Sequence, residues 1–270
     1  MTEDHMTDDL LTDITDGVGT ITFNRPDKLN ALSPAIVEGL IDVTHRFEHD
    51  PAVRCVLIRG AGDTFMAGGD VEGFKRSLTE DRDAHLAGME RRVVTGHLAI
   101  HRLRRMPKPV ITAVQGGAVG FGFSMVAAAD MAIAGENAFL MLAYRHVGLT
   151  ADGGISYFLP RIVGERRAIE ILMMGERIPA AKALDWGLVN WVVPDAELQD
   201  RALAMARKLA AGPTRALGGA KRLVRTALEN SWDEQSAREA ESIAEMIATD
   251  DHLEGVDAFL EKRKPVFRGS

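Results

Sequence analysis

Hydrophobic positions along the chain follow two periods, and the places where one gives way to the other outline its elements. From Gly19 to Phe23 the residues alternate and favour strand, and Val53–Ile58 is a short, mostly apolar run, so both segments read as strands. Between them Ser33 can cap a helix with Pro34 in its first position, and Ile36, Val37, Leu40, Ile41 and Phe47 form one apolar stripe at helical spacing. The strand, helix, strand order recurs loosely through Pro109–Val114, a helix opening near Phe121, and short strands at Met131–Ala134 and Val189–Val193. This alternation predicts an α/β architecture. After Asp195 the pattern is helical throughout: Ala196–Ala211, Thr214–Leu228, Gln235–Thr249 and Leu253–Arg263 all carry helical periodicity, with Gly212–Pro213 as a break. Residues 1–17, acidic and without a basic start followed by an apolar stretch, read as a loose leader rather than a signal peptide. Residues 18–194 form the expected core and residues 195–270 the helical region, with no repeat or flexible linker between them.

Composition narrows what this architecture can serve. The 270 residues are 46% hydrophobic and 26% charged, enough apolar material for a sizeable core. Lys and Arg number 32 against 39 Asp and Glu, a formal net charge of -7, which argues against a general nucleic-acid-binding surface. An uncharged stretch, Pro109–Ala129, is long enough to cross a bilayer, yet Gly116, Gly117, Gly120 and Gly122, with Gln115 and Ser124, suit a buried strand, turn and helix better. No membrane partner is expected. The single cysteine, Cys55, lies in an apolar run and reads as a small buried hydrophobe; with no disulfide possible, a reducing cytoplasm fits.

Two glycine-rich segments carry the candidate chemistry. Phe65-Met66-Ala67-Gly68-Gly69-Asp70 follows the Val53 strand and leads into Val71-Glu72-Gly73-Phe74, and Gly116–Gly122 joins the Val110–Val114 strand to an apolar helix. In both, glycine permits tight backbone geometry and leaves amide N–H groups free at a helix start, where they suit an anion or an oxyanion. Plain turns are the simpler reading of either cluster alone. A dinucleotide site is the next alternative and a weak one, because the second segment reads GxxGxG and no acid follows about twenty residues later to hold a ribose.

The segments Arg25–Leu32, Phe65–Asp70, Lys108–Gly116 and Gly148–Gly154 together resemble the crotonase (enoyl-CoA hydratase/isomerase) superfamily in order and spacing, over nearly the whole chain. The resemblance implies a crotonase-like spiral of ββα units with a C-terminal α-helical region that assembles a homotrimer or a dimer of trimers. It implies an acyl-CoA thioester as substrate, with no separate cofactor and no metal. Two backbone amides would grip the thioester oxygen, Gly69 N–H and Phe121 N–H, with Ala67, Gly68 and Gly120 shaping the turns that hold them. Asp70 reads as a turn or cap acid. For the CoA phosphates, Lys28 of the first loop and Lys264 of the C-terminal region are the counterparts of the usual cations; Arg25 is also available, and Phe267 would lie near the ligand.

Departures from the family pattern matter as much as the matches. Hydratases of this family use two glutamates, and the corresponding positions hold Ser124 and, within a residue, Ala143-Tyr144. Adding water needs a base to activate it and an acid to deliver the α-proton. Neither expected carboxylate is present, so Ser124 and Tyr144 are expected to line the pocket. The acid that remains is Asp152, on the turn where isomerases and an aspartate-dependent dehalogenase of the family also carry one. A single carboxylate can shuttle one proton between two carbons of an enolate, and flanking Leu149, Ile155 and Phe158 would desolvate it. Capping of the next helix is its other possible role. Gly122-Phe123-Ser124-Met125-Val126 half resembles a nucleophile elbow but lacks the last glycine. His97 and His101 are one turn apart without the glutamate of a zinc motif, and they read as solvated or packing residues, as His146 also can. The expected function is an isomerase-like proton shuttle. The alternatives are a hydratase or hydrolase recruiting another acid such as Glu72 or Glu90, and a non-catalytic acyl-CoA-binding homologue.

Overall fold

A computed structural model describes residues 8–270; the first seven residues of the expected leader lie outside the described residues. The remainder of that leader corrects the expectation. Leu10–Thr15 form a strand, β1, paired antiparallel with β2 (Val18–Phe23) across Asp16 and Gly17, both at positive φ. Asp-Gly is the dipeptide a two-residue hairpin favours. The signal was weak because of the strand's six residues only Leu10 is buried, so no clear alternation survives.

Ser33 Oγ accepts from Ile36 N–H at 3.2 Å, capping α1 (Pro34–His49); of the expected stripe Ile36, Leu40 and Phe47 are buried and Val37 and Ile41 half-buried, while Val43 is buried as well. The chain then runs through β3 (Cys55–Gly60), α2 (Val71–Glu80) and the long α3 (Arg82–Arg105). Next come β4 (Val110–Val114), β5 (Gly117–Val119), α4 (Phe121–Ala128), β6 (Met131–Gly135) and β7 (Phe139–Met141). After a third turn follow α5 (Ile155–Val163), α6 (Glu165–Met174), β8 (Ile178–Pro179), α7 (Ala180–Asp185) and β9 (Trp191–Val193). The uncharged stretch once weighed as a span is thus β4, β5 and α4, every residue of the helix buried. Among the described residues no helix is long and apolar enough to cross a membrane.

The main sheet has the order β1-β2-β3-β4-β6-β9 and is parallel except at the β1 edge; β5, β7 and β8 form a second, smaller sheet. Alternate residues of the parallel strands face opposite cores. Val56, Ile58, Val110 and Val114 face the larger one with α1, α3 and α4, whereas Cys55, Leu57, Ile111 and Ala113 face a helix from beyond residue 195. That helix, α8 (Leu198–Ala210), buries Leu198, Ala202, Ala206 and Ala210 against the sheet. The expected boundary at 194/195 therefore runs through a single hydrophobic core. Burial, and then the nearby Asp130 carboxylate, pushes the Cys55 thiol up to about 12, so it stays a neutral packing group.

Three more helices follow, α9 (Thr214–Thr226), α10 (Trp232–Ile247) and α11 (Asp250–Leu260). A buried ion cluster ties α9 to the sheet: Asp130 Oδ2 meets Lys221 Nζ at 2.8 Å and Val110 N–H at 2.9 Å, and Oδ1 meets Arg225 at 2.8 Å. Burial holds the Lys221 pKa below the usual amine value, with Asp130 opposing part of the fall. Removing one partner of such a pair leaves an uncompensated buried charge, at a cost of roughly 3–5 kcal/mol. Asp130→Ala is accordingly expected to lower the unfolding free energy measured in urea by that much. A loss below about 1 kcal/mol would show that water reaches Lys221, whose side chain is 8% exposed here.

Candidate active site

The parallel strands end together on one edge, and the loops that leave β3 and β4 there carry the two glycine turns. The first turn is clamped from the side by the segment after β2. Asn30, fully buried, donates through Nδ2 to Ala61 O at 2.9 Å and Thr64 O at 2.6 Å, and its Oδ1 accepts from Arg25 N–H at 2.8 Å. Ala67 N–H bonds Leu29 O at 2.9 Å and Leu32 N–H bonds Gly68 O at 2.7 Å. The second turn is laced to the first by Met66 N–H to Gly117 O at 3.1 Å and Val119 N–H to Met66 O at 2.8 Å.

Contact between the turns is backbone on backbone. Gly68 has φ +85°, and a Cβ there would lie 2.9 Å from Val119 O; Gly120 has φ +54°, and a Cβ there would lie 3.7 Å from Gly68 Cα. Beyond each glycine comes a bare donor. Neither Gly69 N–H nor Phe121 N–H, the first residue of α4, has an acceptor among the described residues. Orphan N–H groups at a buried helix start call for an external acceptor, and the two expected oxyanion donors are brought to neighbouring turns. Asp70 caps α2 by accepting from Gly73 N–H at 2.9 Å, the role its position predicted.

The third turn closes on the second through Ser124. Gly153, at φ +66°, sits so near that a Cβ would be 2.6 Å from Ser124 Cβ, and Ser124 Oγ donates to Asp152 O at 2.9 Å. The small residue at 124 does more than line a pocket: its size admits the turn that carries Asp152. Tyr144 OH donates to Asp152 Oδ1 at 2.6 Å, and no described residue donates to Oδ2. Burial, and then the charge of Asp152, raises the Tyr144 pKa far above the usual phenol value, so the hydroxyl remains a donor. The same ring borders Gly120, where a Cβ would come within 3.7 Å of Tyr144 Cζ. Asp152 is half-buried; Ile155 and Phe158 are buried beside it in sequence, whereas Leu149 is exposed, so only two of the three expected apolar flanks shield this turn.

His97 belongs here too, contrary to its reading as a solvated or packing residue. Its Nε2 accepts from Gly153 N–H at 2.9 Å, which places the neutral ring's proton on Nδ1 and fixes the peptide bond after Asp152. Nothing local marks it, because the partner is fifty-six residues away. Arg25 is drawn into structural contacts instead: Nη1 donates to Ala31 O at 2.8 Å, and the guanidinium meets Asp9 at 3.5 Å and Asp70 at 3.9 Å. Lys28 lies exposed on the rim, 3.1 Å from the exposed Glu72, a pair worth under about 1 kcal/mol and easily exchanged. Glu90 is exposed as well, and His146 is occupied with Gly175 O at 3.0 Å.

Lys264 and Phe267 are not brought to the turns. Phe267 O accepts from Arg54 at 2.9 Å, and Asp251 accepts from the Arg268 and Gly269 amides, so the tail is tied beside the beginning of β3. The turns lie beyond its other end, about 20 Å away along a six-residue strand.

A sequence profile of the enoyl-CoA hydratase/isomerase family matches residues 13–270. The chain is 36% identical over 260 residues to 1,2-epoxyphenylacetyl-CoA isomerase of Escherichia coli (strain K12), covering 96% of this chain and 98% of that one. It is 34% identical over 229 residues to 4-chlorobenzoyl coenzyme A dehalogenase-2 of Arthrobacter sp, covering 85% and 82%. Among solved structures, an enoyl-CoA hydratase from Polaromonas sp. JS666 superposes with a TM-score of 0.88 at 35% identity, covering 96% of this chain and 99% of that one. The names of these relatives span three reactions, so likeness alone leaves the reaction open.

The packing of Gly153 on Ser124 generates a stability prediction. Ser124→Glu, which restores the carboxylate of a two-glutamate site, must push the third turn away and is expected to cost about 1–3 kcal/mol in urea unfolding. Unchanged stability would mean that the turn yields and that residue 124 does not govern its position.

Proposed function

The chain belongs to the enoyl-CoA hydratase/isomerase family of the crotonase superfamily, and from that membership we propose that it shifts a double bond within an acyl-CoA, with Asp152 carrying the proton. Processing of an acyl-CoA is common ground for the family; the choice of isomerisation rests on the carboxylates. Positions 124 and 143–144 hold none, and Asp152 has one oxygen fixed by Tyr144 and the other without a donor among the described residues. That single half-engaged carboxylate, next to two bare amides, is the observation that carries the reading.

In this mechanism the thioester carbonyl oxygen accepts from Gly69 N–H and Phe121 N–H. Asp152 Oδ2 removes a proton from the carbon chain, the electron pair moves into the thioester as an enolate, and the two amides take up the developing charge. The same carboxyl returns the proton to the other end of the allyl system. No water enters and no proton is gained or lost, so one acid suffices. Each amide of such a pair is worth about 3–4 kcal/mol in the transition state. Tyr144 and His97 hold the carboxylate and its backbone in place.

Other parts of the ligand follow from the rim. Lys28, exposed beside the first turn, is the cation we assign to a CoA phosphate. Val71, Leu86, Val94 and Leu98 of α2 and α3 expose apolar side chains suited to an acyl group. Lys264 and Phe267 would reach a CoA only across a subunit boundary. We assign a homotrimer, or a dimer of trimers, to the apolar face of α10 and α11, where Ile243, Ile247, Leu253 and Phe259 are exposed and Phe259 is 82% so. Glu72 and Glu90, both exposed, lend no support to a hydratase or hydrolase built on them.

Asp152→Asn is expected to lower isomerisation of a 3-enoyl-CoA by about 10²–10⁴-fold with KM nearly unchanged, and crotonyl-CoA hydration is expected to be slow in the unmodified enzyme. Tyr144→Phe is expected to cost about tenfold in kcat. Full activity in Asp152→Asn would remove Asp152 from the mechanism, and tight acyl-CoA binding without any turnover would identify a non-catalytic homologue. Light scattering that found the intact chain monomeric would refute the assembly.

A further inference from the structure

Where the last turns of α3 and α4 meet α5 and the end of α9, a cavity of about 280 Å³ opens at the far end of α4 from the glycine turns. Its polar lining is rich in donors and poor in free acceptors. Arg104, Arg161 and Arg225 line it, and the carboxylate beside them is spoken for: Asp130 Oδ1 takes Arg225 at 2.8 Å, and Oδ2 takes Lys221 at 2.8 Å and Val110 N–H at 2.9 Å. Ala128 O and Ala129 O both accept from Arg225 Nη2, at 2.9 and 3.0 Å, which leaves its other nitrogens unused. Glu229 accepts from Tyr157 OH.

Arg104 has no carboxylate within 4.0 Å among the described residues; its guanidinium lies 4.3 Å over the Phe158 ring. Arg161 stacks 3.6 Å over Tyr157 and donates only to the carbonyl one turn back, Tyr157 O at 3.0 Å. Of four cations, the three arginines and Lys221, only Arg225 and Lys221 reach a carboxylate within 4.0 Å among the described residues, and it is the same one, Asp130. Burial, and then the charge of Arg225, lowers the Arg104 pKa to about 10, as expected where positive charge is crowded and partly desolvated. The rest of the wall is apolar, with Val126, Ile162, Leu188, Val224 and Leu228.

We propose that this cavity binds a small organic carboxylate, its carboxylate group between Arg104 and Arg225 and its hydrocarbon body against the apolar wall. A guanidinium pair recognises the two oxygens through paired N–H donors, and a short aliphatic tail fills what an inorganic anion would leave empty. The site is separate from the thioester turns yet borders one of them. Phe158, the ring under Arg104, packs against Gly154, where a Cβ would meet the ring at 2.8 Å, so an occupant presses on the turn that carries Asp152.

Isothermal titration of the intact protein with hexanoate, with inorganic phosphate, and with hexanoate in the presence of saturating CoA tests the assignment. The expected result is one hexanoate site per chain that CoA does not displace, at least about tenfold tighter than phosphate. Arg104→Gln is expected to weaken hexanoate by about tenfold or more, and Arg104→Lys, which keeps the charge but loses the paired N–H donors, by several-fold, which keeps the test available if Arg104→Gln misfolds. Hexanoate affinity unchanged in the folded variants, displacement by CoA, or phosphate binding as tight as hexanoate would each overturn the proposal. Because the readout is binding away from Asp152, its failure would leave the isomerase reading untouched.

Discussion

Val119 O lies 2.9 Å from the place where a side chain at Gly68 would begin, and Gly68 Cα lies 3.7 Å from the same place at Gly120. Two chain reversals that follow different strands of one parallel sheet thus meet with no side chain between them. Neither could do so alone. The parallel register of β3 on β4 brings the loop origins level, the bond pair between Met66 and residues 117–119 fixes their spacing, and buried Asn30 holds the outer turn against the segment after β2. With those backbone bonds made elsewhere, the amides of Gly69 and Phe121 are left without partners among the described residues, which is what makes them useful to a ligand oxygen.

A second close approach extends this frame to the acid. Gly153 reaches Ser124 at a distance that excludes a side chain at 153 without movement, and the Ser124 hydroxyl then holds the carbonyl of Asp152. An acid at 124 would crowd the present course of the third turn, whose closest approach is at Ser124 Cβ. Tyr144 and His97 complete the support of Asp152 from two other directions.

Much of this was legible in the sequence because it depends on local chemistry. Glycines at Gly68, Gly120 and Gly153 mark backbone that no other residue adopts easily, Ser33-Pro34 marks a helix start, and the apolar runs at 55–58 and 110–114 mark strands buried on both faces. What escaped was set by distant partners. His97 is defined by an amide far along the chain, and Arg25 by carbonyl and carboxylate groups that turn it inward. α8 looked like its helical neighbours, since its small apolar stripe of alanines gives no hint that it closes the second face of the sheet. The edge strand at 10–15 was hidden because apolar Leu11 and Ile14 are exposed and only Leu10 is buried; Asp16-Gly17 is the local signal that could have found the hairpin.

The position of α8 also bears on how the protein is made. The sheet face formed by Cys55, Leu57, Ile111, Ala113 and Ile133 is complete once β6 has been synthesised, but its cover ends at Ala210, about 75 residues later. At roughly 5–20 residues per second on the ribosome, that face waits on the order of 4–15 seconds for its lid. During this interval a broad, flat apolar surface with its main strands already in register is open to other nascent chains. The shorter that interval, or the later the first four parallel strands consolidate, the less of this face is offered before α8 arrives.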